Sequence, residues 1–337
     1  MSHLLERFLR YAKVHTTSDP DSPTKPSTAR QWDLLRLLHT ELEQLQVPAT
    51  CYEAGFLIAH IPATAGYEGA PSVAFLAHVD TSPEAPGEQV SPLLHPNYDG
   101  KPIQLKGSVL SPSDYPDLLR YVGHTLITSD GTTLLGADDK AGVAILMTLA
   151  EELQRRPELA HGPIALAFTT DEEVGRGLES FDESLLGAAY AYTIDGGLEG
   201  EFEYECFHAA SAHITATGHN VHPGSAYHTM RHALQSLIKL DYRLGYESER
   251  PEVTEGREGF LHLCQMEGDV SSATASYIIR DHDRQLLEQR LERIREIAQE
   301  ISSEPHAAPL TVEVSYQYRN MYDYIAPHPE VIEHAVA

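Results

Sequence analysis

The sequence has few cysteines and no closely spaced cysteine pair. Its 337 residues include three cysteines, Cys51, Cys206 and Cys264, and none of them lies in a Cys-x-x-Cys pair. This scarcity argues against a disulfide framework and against a zinc site built from thiolates. A metal ion would therefore have to be bound by oxygen and imidazole ligands.

Basic residues are also scarce. The chain has 24 Lys and Arg against 50 Asp and Glu, which gives a formal net charge of −26. Such a charge repels phosphate backbones and anionic lipid. We therefore expect no nucleic-acid partner and no membrane partner, although the charge is equally typical of a protein that simply stays in solution.

The first residues lack the long apolar run of a signal peptide or a membrane span. Residues 4–9 provide one apolar face of a short helix, but Glu6, Arg7 and Arg10 interrupt any continuous apolar stretch. The sequence therefore predicts a cytoplasmic protein.

Apolar patterns typical of strands and helices alternate up to about residue 200. A 3.6-residue stripe from Trp32 to Leu45, with Ser27 as its expected N-cap, predicts a helix. Nearly continuous apolar runs at 73–77 and 164–168 predict strands buried on both faces of a sheet. A further helix should begin near Asp138. This alternation predicts an α/β domain with a largely parallel mixed sheet flanked by helices.

The pattern changes after Gly200. Alternating stretches at 212–217 and 277–280 surround two amphipathic helices, the second of which has its apolar residues at helical spacing between residues 287 and 301. We predict that the α/β domain begins with residues 1–206, that an α+β domain is inserted at 207–317, and that residues 318–337 return to the first domain.

Four short motifs place acids or histidine directly after predicted buried strands. In open α/β sheets, ligands gather at the carboxyl ends of strands, so distant segments can bring their side chains into one crevice. The motifs are His78-Val79-Asp80, Gly136-Ala137-Asp138-Asp139-Lys140-Ala141-Gly142, Asp171-Glu172-Glu173 and Asp195-Gly196-Gly197.

Each motif also has a plain structural explanation. His78 and Asp80 could form a hydrogen-bonded turn, or a metal ligand with the carboxylate that orients it. Asp139 could complement a helix dipole, whereas Asp138 has two oxygens free to bridge two cations. Asp195 beside two glycines is typical of an ordinary turn.

Glu172 and Glu173 have two interpretations as well. They could form the acidic first turn of a helix, or one could bind metal while the other takes a proton from water. Four structural coincidences at one sheet edge, all of them with carboxylate or imidazole groups, are harder to accept than one common cause. The combination favours a hydrolytic site for zinc, manganese or cobalt.

Longer stretches resemble the M20 family of two-zinc metallopeptidases, which includes peptidase T, glutamate carboxypeptidase and succinyl-diaminopimelate desuccinylase, and they are most similar to peptidase T. The resemblance implies a zinc-peptidase-like catalytic domain with an inserted lid or dimerisation domain. It also implies a tripeptide aminopeptidase that forms a homodimer. The matching stretches, which span Leu4 to Arg284, include AHVDTSP, TLITSDGTTLLGADDKAG, AFTTDEEVGRG, YTIDGG, NVHPGSA and YIIRDHDR.

The resemblance further implies a set of ligands for two zinc ions, which cobalt or manganese could replace. His78 and Asp195 would bind one ion, and Glu173 would bind the other. Asp138 would bridge both ions.

Other residues acquire catalytic roles from the same resemblance. Glu172 would be the general base, and Asp80 would hold the imidazole of the metal-binding histidine in the right tautomer. His222 would help to stabilise the oxyanion. Arg280 and Asn320 are candidates for contacts with the substrate.

Family members continue past the position of Ala337 with a glycine-rich stretch, an arginine and a final histidine that binds the second ion. Because that histidine is absent, Asp138 and Glu173 alone remain for the second ion, against the three ligands usual for catalytic zinc. We therefore expect the chain as given to hydrolyse tripeptides weakly or not at all. The alternatives are a related dipeptidase or amidohydrolase, and an inactive fragment that dimerises or binds peptides.

Overall fold

The computed structural model describes residues 3–245 and 248–336, which form two compact units. One unit ends at Glu199 and the other begins at Gly200. Residues from 318 onward belong to the second unit. The expected domain limits at residues 206 and 317, and the return of residues 318–337 to the first domain, stay predictions.

The first unit combines three helices with nine strands among its described residues. Short 3-10 helices lie at Pro116–Tyr121 and Glu183–Leu186. In chain order the elements are α1 (His3–Tyr11), α2 (Gln31–Gln44), β1 (Ala49–Tyr52), β2 (Phe56–Ile61), β3 (Val73–His78), β4 (Leu93–His95), β5 (Ile103–Gln104), β6 (Val109–Leu110), β7 (Leu126–Thr128), α3 (Ala137–Arg155), β8 (Ile164–Thr169) and β9 (Tyr190–Thr193).

Five of these strands form a mixed sheet in the order β1-β2-β8-β3-β9. Strand β3 runs parallel to β8 and β9, whereas β2 is antiparallel to β1 and to β8. The predicted α/β fold with a mixed sheet is confirmed, and the parallel pairings lie in the half of the sheet that contains β3. Strands β4 and β7, and strands β5 and β6, pair separately as two small antiparallel ribbons.

Both faces of the sheet are covered, which explains the nearly continuous apolar runs in β3 and β8. The larger core lies on the face covered by the helices and includes Leu35, Leu38, Leu57, Met147 and Phe168. A smaller cluster that contains Ile58, Ala167 and Leu186 covers the other face. Burial of each large apolar side chain stabilises the folded state by roughly 1.5–3 kcal/mol relative to leaving it exposed.

Helix α2 has the predicted apolar stripe, but the expected N-cap is wrong. The helix begins at Gln31, and its preceding residue Arg30 makes no side-chain capping bond. The hydroxyl of Ser27 instead donates to Asp171, 144 positions away in the sequence. A tertiary hydrogen bond therefore takes the side chain that local sequence would assign to the helix end.

The second unit is an antiparallel sheet with helices packed against it. The elements are β10 (His208–Thr217), α4 (Ala233–Arg243), β11 (Phe260–Gly268), β12 (Ser272–Asp281), α5 (Arg284–Ser302), β13 (Leu310–Tyr318), α6 (Tyr322–Ile325) and α7 (Pro329–Val336), with a short 3-10 helix at Pro223–Ser225. The strand order in the sheet is β11-β12-β10-β13, and α4 and α5 bury Leu237, Leu240, Leu291 and Ile294 in the core. Within residues 3–245 and 248–336, every helix is too short or too polar to cross a membrane.

Candidate metal centre

Three parallel strands of the first unit end at the same edge of the sheet. The register pairs His78, the last residue of β3, with Thr169 at the end of β8, and pairs Leu76 with Thr193 at the end of β9. The segments that follow these strands therefore leave the sheet side by side. They contain Asp80, Glu172, Glu173 and Asp195. Asp138 and Asp139 instead lie at the start of α3, after a segment without strand structure, so the expectation that this motif follows a buried strand is wrong.

His78 is the point where the predicted side chains meet. It is 2% exposed, and its Nε2 atom lies 2.8 Å from Asp138 Oδ1, 3.6 Å from Asp195 Oδ2 and 3.9 Å from Glu172 Oε2. Residues that are far apart in the sequence are thus neighbours in the fold.

The four predicted metal ligands, together with Asp139, form two groups of three possible donors. One group is His78, Asp138 and Glu173, and the other is His78, Asp139 and Asp195. The sequence did not predict Asp139 as a ligand. Within each group the donor atoms all lie within 4.8 Å of one another. Imidazole and carboxylate donors suit zinc, manganese and cobalt in hydrolytic sites. The residues present therefore fit a metal centre.

Asp80 is fully buried, and it contacts both His78 and the backbone of the two glutamates. Its Oδ1 atom lies 3.3 Å from Nδ1 of His78. The same carboxylate accepts the backbone N–H groups of Glu172 and Glu173, each at 3.1 Å. The sequence suggested the contact with His78 but gave no sign of the bonds to the glutamate backbone, because these depend on how β3 and β8 pair.

Asp139, the second of the two adjacent aspartates, has a structural role at the start of α3. Residues 138 and 139 have non-helical dihedral angles, so the regular part of α3 begins after them. The buried carboxylate of Asp139 accepts the N–H of Gly142 at 3.0 Å, as an N-cap does, and the N–H of His78 at 3.1 Å. It therefore ties the helix start to the end of β3.

The carboxylates of the cluster lie in an environment that disfavours their charge. Burial is the largest cause and the charge of Asp195 the next, and they raise the pKa of Asp139 to about 8. Burial is also the largest cause for Glu173, and with the charge of Asp138 it raises the pKa of Glu173 to about 7. Burial also raises the pKa of Glu172. A divalent cation would relieve this concentration of negative charge.

The same surroundings favour the charged form of the His78 imidazole, whereas they disfavour the charged form of the carboxylates. Burial lowers the pKa of His78, but the hydrogen bond and charge of Asp80 and the charges of Asp139 and Asp195 outweigh burial and raise it to about 10. The acidic neighbours thus attract positive charge to the centre of the cluster.

His222 and Arg280 belong to the second unit. The exposed His222 accepts the N–H of Gly224 at its Nδ1 atom, 3.0 Å away. The guanidinium of Arg280 donates to the carbonyl oxygen of Ala210 at 3.2 Å and lies over the ring of Tyr318. Their expected roles towards substrate stay predictions.

Asn320 is 3% exposed, and its side-chain amide is engaged with the backbone of the second unit. Its oxygen accepts the N–H groups of Cys206 and Tyr322, each at 3.0 Å, and its nitrogen donates to the carbonyl of His282 at 3.2 Å. These bonds give Asn320 a structural function. Its expected contact with substrate stays a prediction.

An α/β sheet that presents imidazole and carboxylate donors at adjacent strand ends is the arrangement of a metal-dependent hydrolase, and comparison with known proteins narrows this class. Peptidase T of Staphylococcus aureus (strain Newman) is 48% identical over 334 residues, which are 98% of this chain and 81% of that protein. Peptidase T of Geobacillus kaustophilus is 46% identical with the same coverage. The chain belongs to the peptidase T family of M20 metallopeptidases.

A domain family and two solved structures agree with this assignment. The M20 peptidase dimerisation domain matches residues 204–305. Aminopeptidase PepT from Bacillus cereus superposes with a TM-score of 0.70 at 22% identity, over 98% of this chain and 82% of that one. A dinuclear metal-binding M20 peptidase from Bacillus subtilis gives a TM-score of 0.59 at 13% identity, over 94% and 74%. At these identities the likeness concerns the fold.

Proposed function

We propose that this chain acts as a two-metal aminopeptidase that releases the N-terminal residue from tripeptides. The observation that carries the proposal is the convergence of Asp138, Asp195 and Glu172 on the buried imidazole of His78, the last residue of β3. Membership of the peptidase T family supports the choice of peptide substrates.

The proposed ligands are those that surround His78. His78 and Asp195 would hold one ion, Asp138 would lie between two ions, and Glu173 would hold the second. Zinc is our proposal for the metal, and cobalt and manganese suit the same donors. When bound, the ions polarise the scissile carbonyl and lower the pKa of the attacking water.

Glu172 is the proposed general base. Its side chain is 57% exposed, and its Oε2 atom lies 3.9 Å from His78 Nε2, so it borders the cluster while remaining open to solvent. A carboxylate in this position can take a proton from water and later give it to the leaving amine. The raised pKa of Glu172 brings it closer to the pH at which such transfers are efficient.

Asp80 and His222 complete the proposed machinery. Asp80 would hold the imidazole of His78 through its Nδ1 atom, which leaves Nε2 facing the ligand carboxylates. His222 would donate a hydrogen bond to the oxyanion, and its support is the resemblance of Asn220–Ala226 to the family. Arg280 and Asn320 would contact the substrate.

We further propose a cytoplasmic homodimer. The match of residues 204–305 to a peptidase dimerisation domain supports assembly through the second unit.

The proposal is tested with the purified chain loaded with zinc or cobalt. We expect it to release the N-terminal residue from a tripeptide, and to leave an N-acetylated tripeptide and a dipeptide uncleaved. Cleavage of the dipeptide or of an N-acyl amino acid would favour the related dipeptidase or amidohydrolase. A chain that binds metal and dimerises without cleaving any of these substrates would contradict the proposed activity.

A further inference from the structure

The carboxylate of Asp171, next to the two site glutamates, is bound by a separate segment of the first unit. Asp171 is 3% exposed. It accepts the backbone N–H of Ser27 at 2.7 Å, the hydroxyl of Ser27 at 2.5 Å and the side-chain amide of Gln31 at 2.6 Å. The oxygen of the same amide accepts the N–H of Asp171 at 3.1 Å. Both the side chain and the backbone of Asp171 are therefore held.

The partners of this carboxylate are themselves buried. Ser27 is 5% exposed and Gln31 is fully buried. Burial of a carboxylate costs free energy unless hydrogen-bond donors replace the water it has lost. Here a backbone N–H, a hydroxyl and an amide provide that replacement. Ser27 and Gln31 thus form a buried binding pocket for the side chain of Asp171.

The backbone of Asp171 has a conformation that needs such support. Its φ angle is +61°, in the left-handed region, which aspartate and asparagine enter more readily than other residues with a side chain but still seldom adopt. Strained positions of this kind persist where the surrounding contacts over-determine them. The bonds from Ser27 and Gln31 fix the side chain, and so they stabilise the turn of the main chain.

This turn sets the direction of the next two residues. The N–H groups of Glu172 and Glu173 both point to the carboxylate of Asp80, at 3.1 Å. The glutamate pair is thus anchored by Asp171 on one side and by Asp80 on the other. A change in the angles at residue 171 would move both glutamate side chains relative to His78.

Further contacts join the same two segments. The guanidinium of Arg176 donates to the carbonyl oxygens of Ser22 at 2.7 Å and Thr24 at 3.2 Å. The ammonium of Lys25 lies 2.5 Å from a carboxylate oxygen of Glu179. Segment 22–31 is therefore bound along the loop that follows β8, with Asp171 as the buried end of the contact.

We propose that Asp171 is a positioning residue of this enzyme. Its bonds to Ser27 and Gln31 set the main-chain turn that directs Glu173 to the metal and Glu172 to the substrate. The inference rests on the proposed function, because it takes Glu172 and Glu173 as the base and a ligand. It assigns to segment 22–31, which contributes no ligand, a direct effect on the metal centre.

The test compares Asp171→Asn with the wild-type chain and with Asp182→Asn. Asparagine tolerates the left-handed conformation, so the substitution removes the charge and one acceptor without imposing new strain. Asp182 is a matched control, because its exposed carboxylate also accepts a backbone N–H and a serine hydroxyl, both from Ser184. Each chain is titrated with Co²⁺, whose visible absorption reports ligand geometry, and is then assayed with a tripeptide.

We expect Asp171→Asn to bind Co²⁺ at least about tenfold more weakly and to show an altered absorption spectrum. Its kcat should fall at least about tenfold while KM changes less than about threefold, since the residue acts on the geometry of the base and not on substrate binding. Asp182→Asn should match the wild type in every measurement.

A second pair of variants covers the case in which Asp171→Asn does not fold. Ser27→Ala should reproduce part of the loss in Co²⁺ affinity, and Ser27→Thr, which keeps the hydroxyl, should restore it. The double variant Ser27→Ala with Asp171→Asn should lose no more than Asp171→Asn alone, because both act through one contact.

The outcomes distinguish failure of the proposed function from failure of the positioning role of Asp171. A wild-type chain that neither binds Co²⁺ nor cleaves peptides would overturn the proposed function. A wild-type chain that binds Co²⁺, together with Asp171→Asn and Ser27→Ala variants of equal affinity and identical spectrum, would overturn the positioning role while the proposed function stands.

Discussion

Nε2 of His78 lies 2.8 Å from Oδ1 of Asp138, although the two residues are 60 positions apart in the sequence. His78 is the last residue of strand β3, and Asp138 lies in the irregular start of α3. Their contact depends on the packing of that helix against the sheet.

Replacement of the proposed base should separate chemistry from metal binding. Glu172→Gln keeps the size of the side chain but removes its capacity to accept a proton. We expect kcat to fall by roughly 10²–10⁴, with Co²⁺ affinity unchanged within about threefold. Glu183→Gln, an exposed glutamate on the same connection, is the control. A Glu172→Gln chain with wild-type kcat would rule out this residue as the base.

Removal of the charge at Asp80 should affect the metal and the fold together. In Asp80→Asn one oxygen can still accept an N–H, but the amide group faces the N–H of Glu172 or Glu173 without being able to accept it. We expect metal affinity to fall roughly 10–100-fold and the unfolding free energy to fall by about 1–3 kcal/mol. Titration with Co²⁺ and urea denaturation measure the two effects. Loss of stability with unaltered metal affinity would leave Asp80 a purely structural role.

Asp139 should matter for stability even without metal. Asp139→Ala would leave the N–H groups of His78 and Gly142 without their acceptor, at a cost of about 1–3 kcal/mol in the unfolding free energy. Urea denaturation of the chelator-treated protein gives this quantity. Asp33→Ala, which removes an exposed acid from the first turn of α2, should change it by less than about 0.5 kcal/mol. Equal effects would refute the capping role of Asp139.

Gly142 should tolerate no side chain. A Cβ atom there would come within 2.0 Å of the carbonyl oxygen of Ile194, directly before Asp195, and within 2.3 Å of Asp139 Oδ1. We expect Gly142→Ala to cost about 1–3 kcal/mol of stability and to weaken metal binding, because the strand end that carries Asp195 must move. Gly69→Ala meets no atom within 4 Å and serves as the control. Gly142→Ala with unaltered Co²⁺ binding would separate this contact from the metal centre.

Much of the fold could be predicted from periodicity, because burial alone sets it. The runs at 73–77 and 164–168 became β3 and β8, and the stripe between residues 287 and 301 became the buried face of α5. The acidic motifs after these strands indicated which side chains would share one edge of the sheet. Local sequence was sufficient for the strands and the helix, since their apolar spacing depends on neighbours in the chain. The shared edge was inferred instead from the rule that ligands gather at the carboxyl ends of strands.

Contacts between distant segments could not be predicted in this way. Ser27 has the sequence context of a helix cap, yet it binds Asp171. The carboxylate of Asp80 follows a familiar pattern beside His78, but its bonds to the backbone of Glu172 and Glu173 require the pairing of β3 with β8. Hydrogen bonds across such distances depend on tertiary packing, which periodicity does not specify.

We propose that Asp138 would lie between two metal ions, with Asp195 at one and Glu173 at the other. The most direct test is to measure Co²⁺ bound per chain, by titration and elemental analysis, for Asp138→Asn, Asp195→Asn and Glu173→Gln. We expect Asp138→Asn to weaken the binding of both ions, and Asp195→Asn and Glu173→Gln each to weaken a different one. An Asp138→Asn chain that binds Co²⁺ with wild-type stoichiometry and affinity would rule out a bridging role for Asp138.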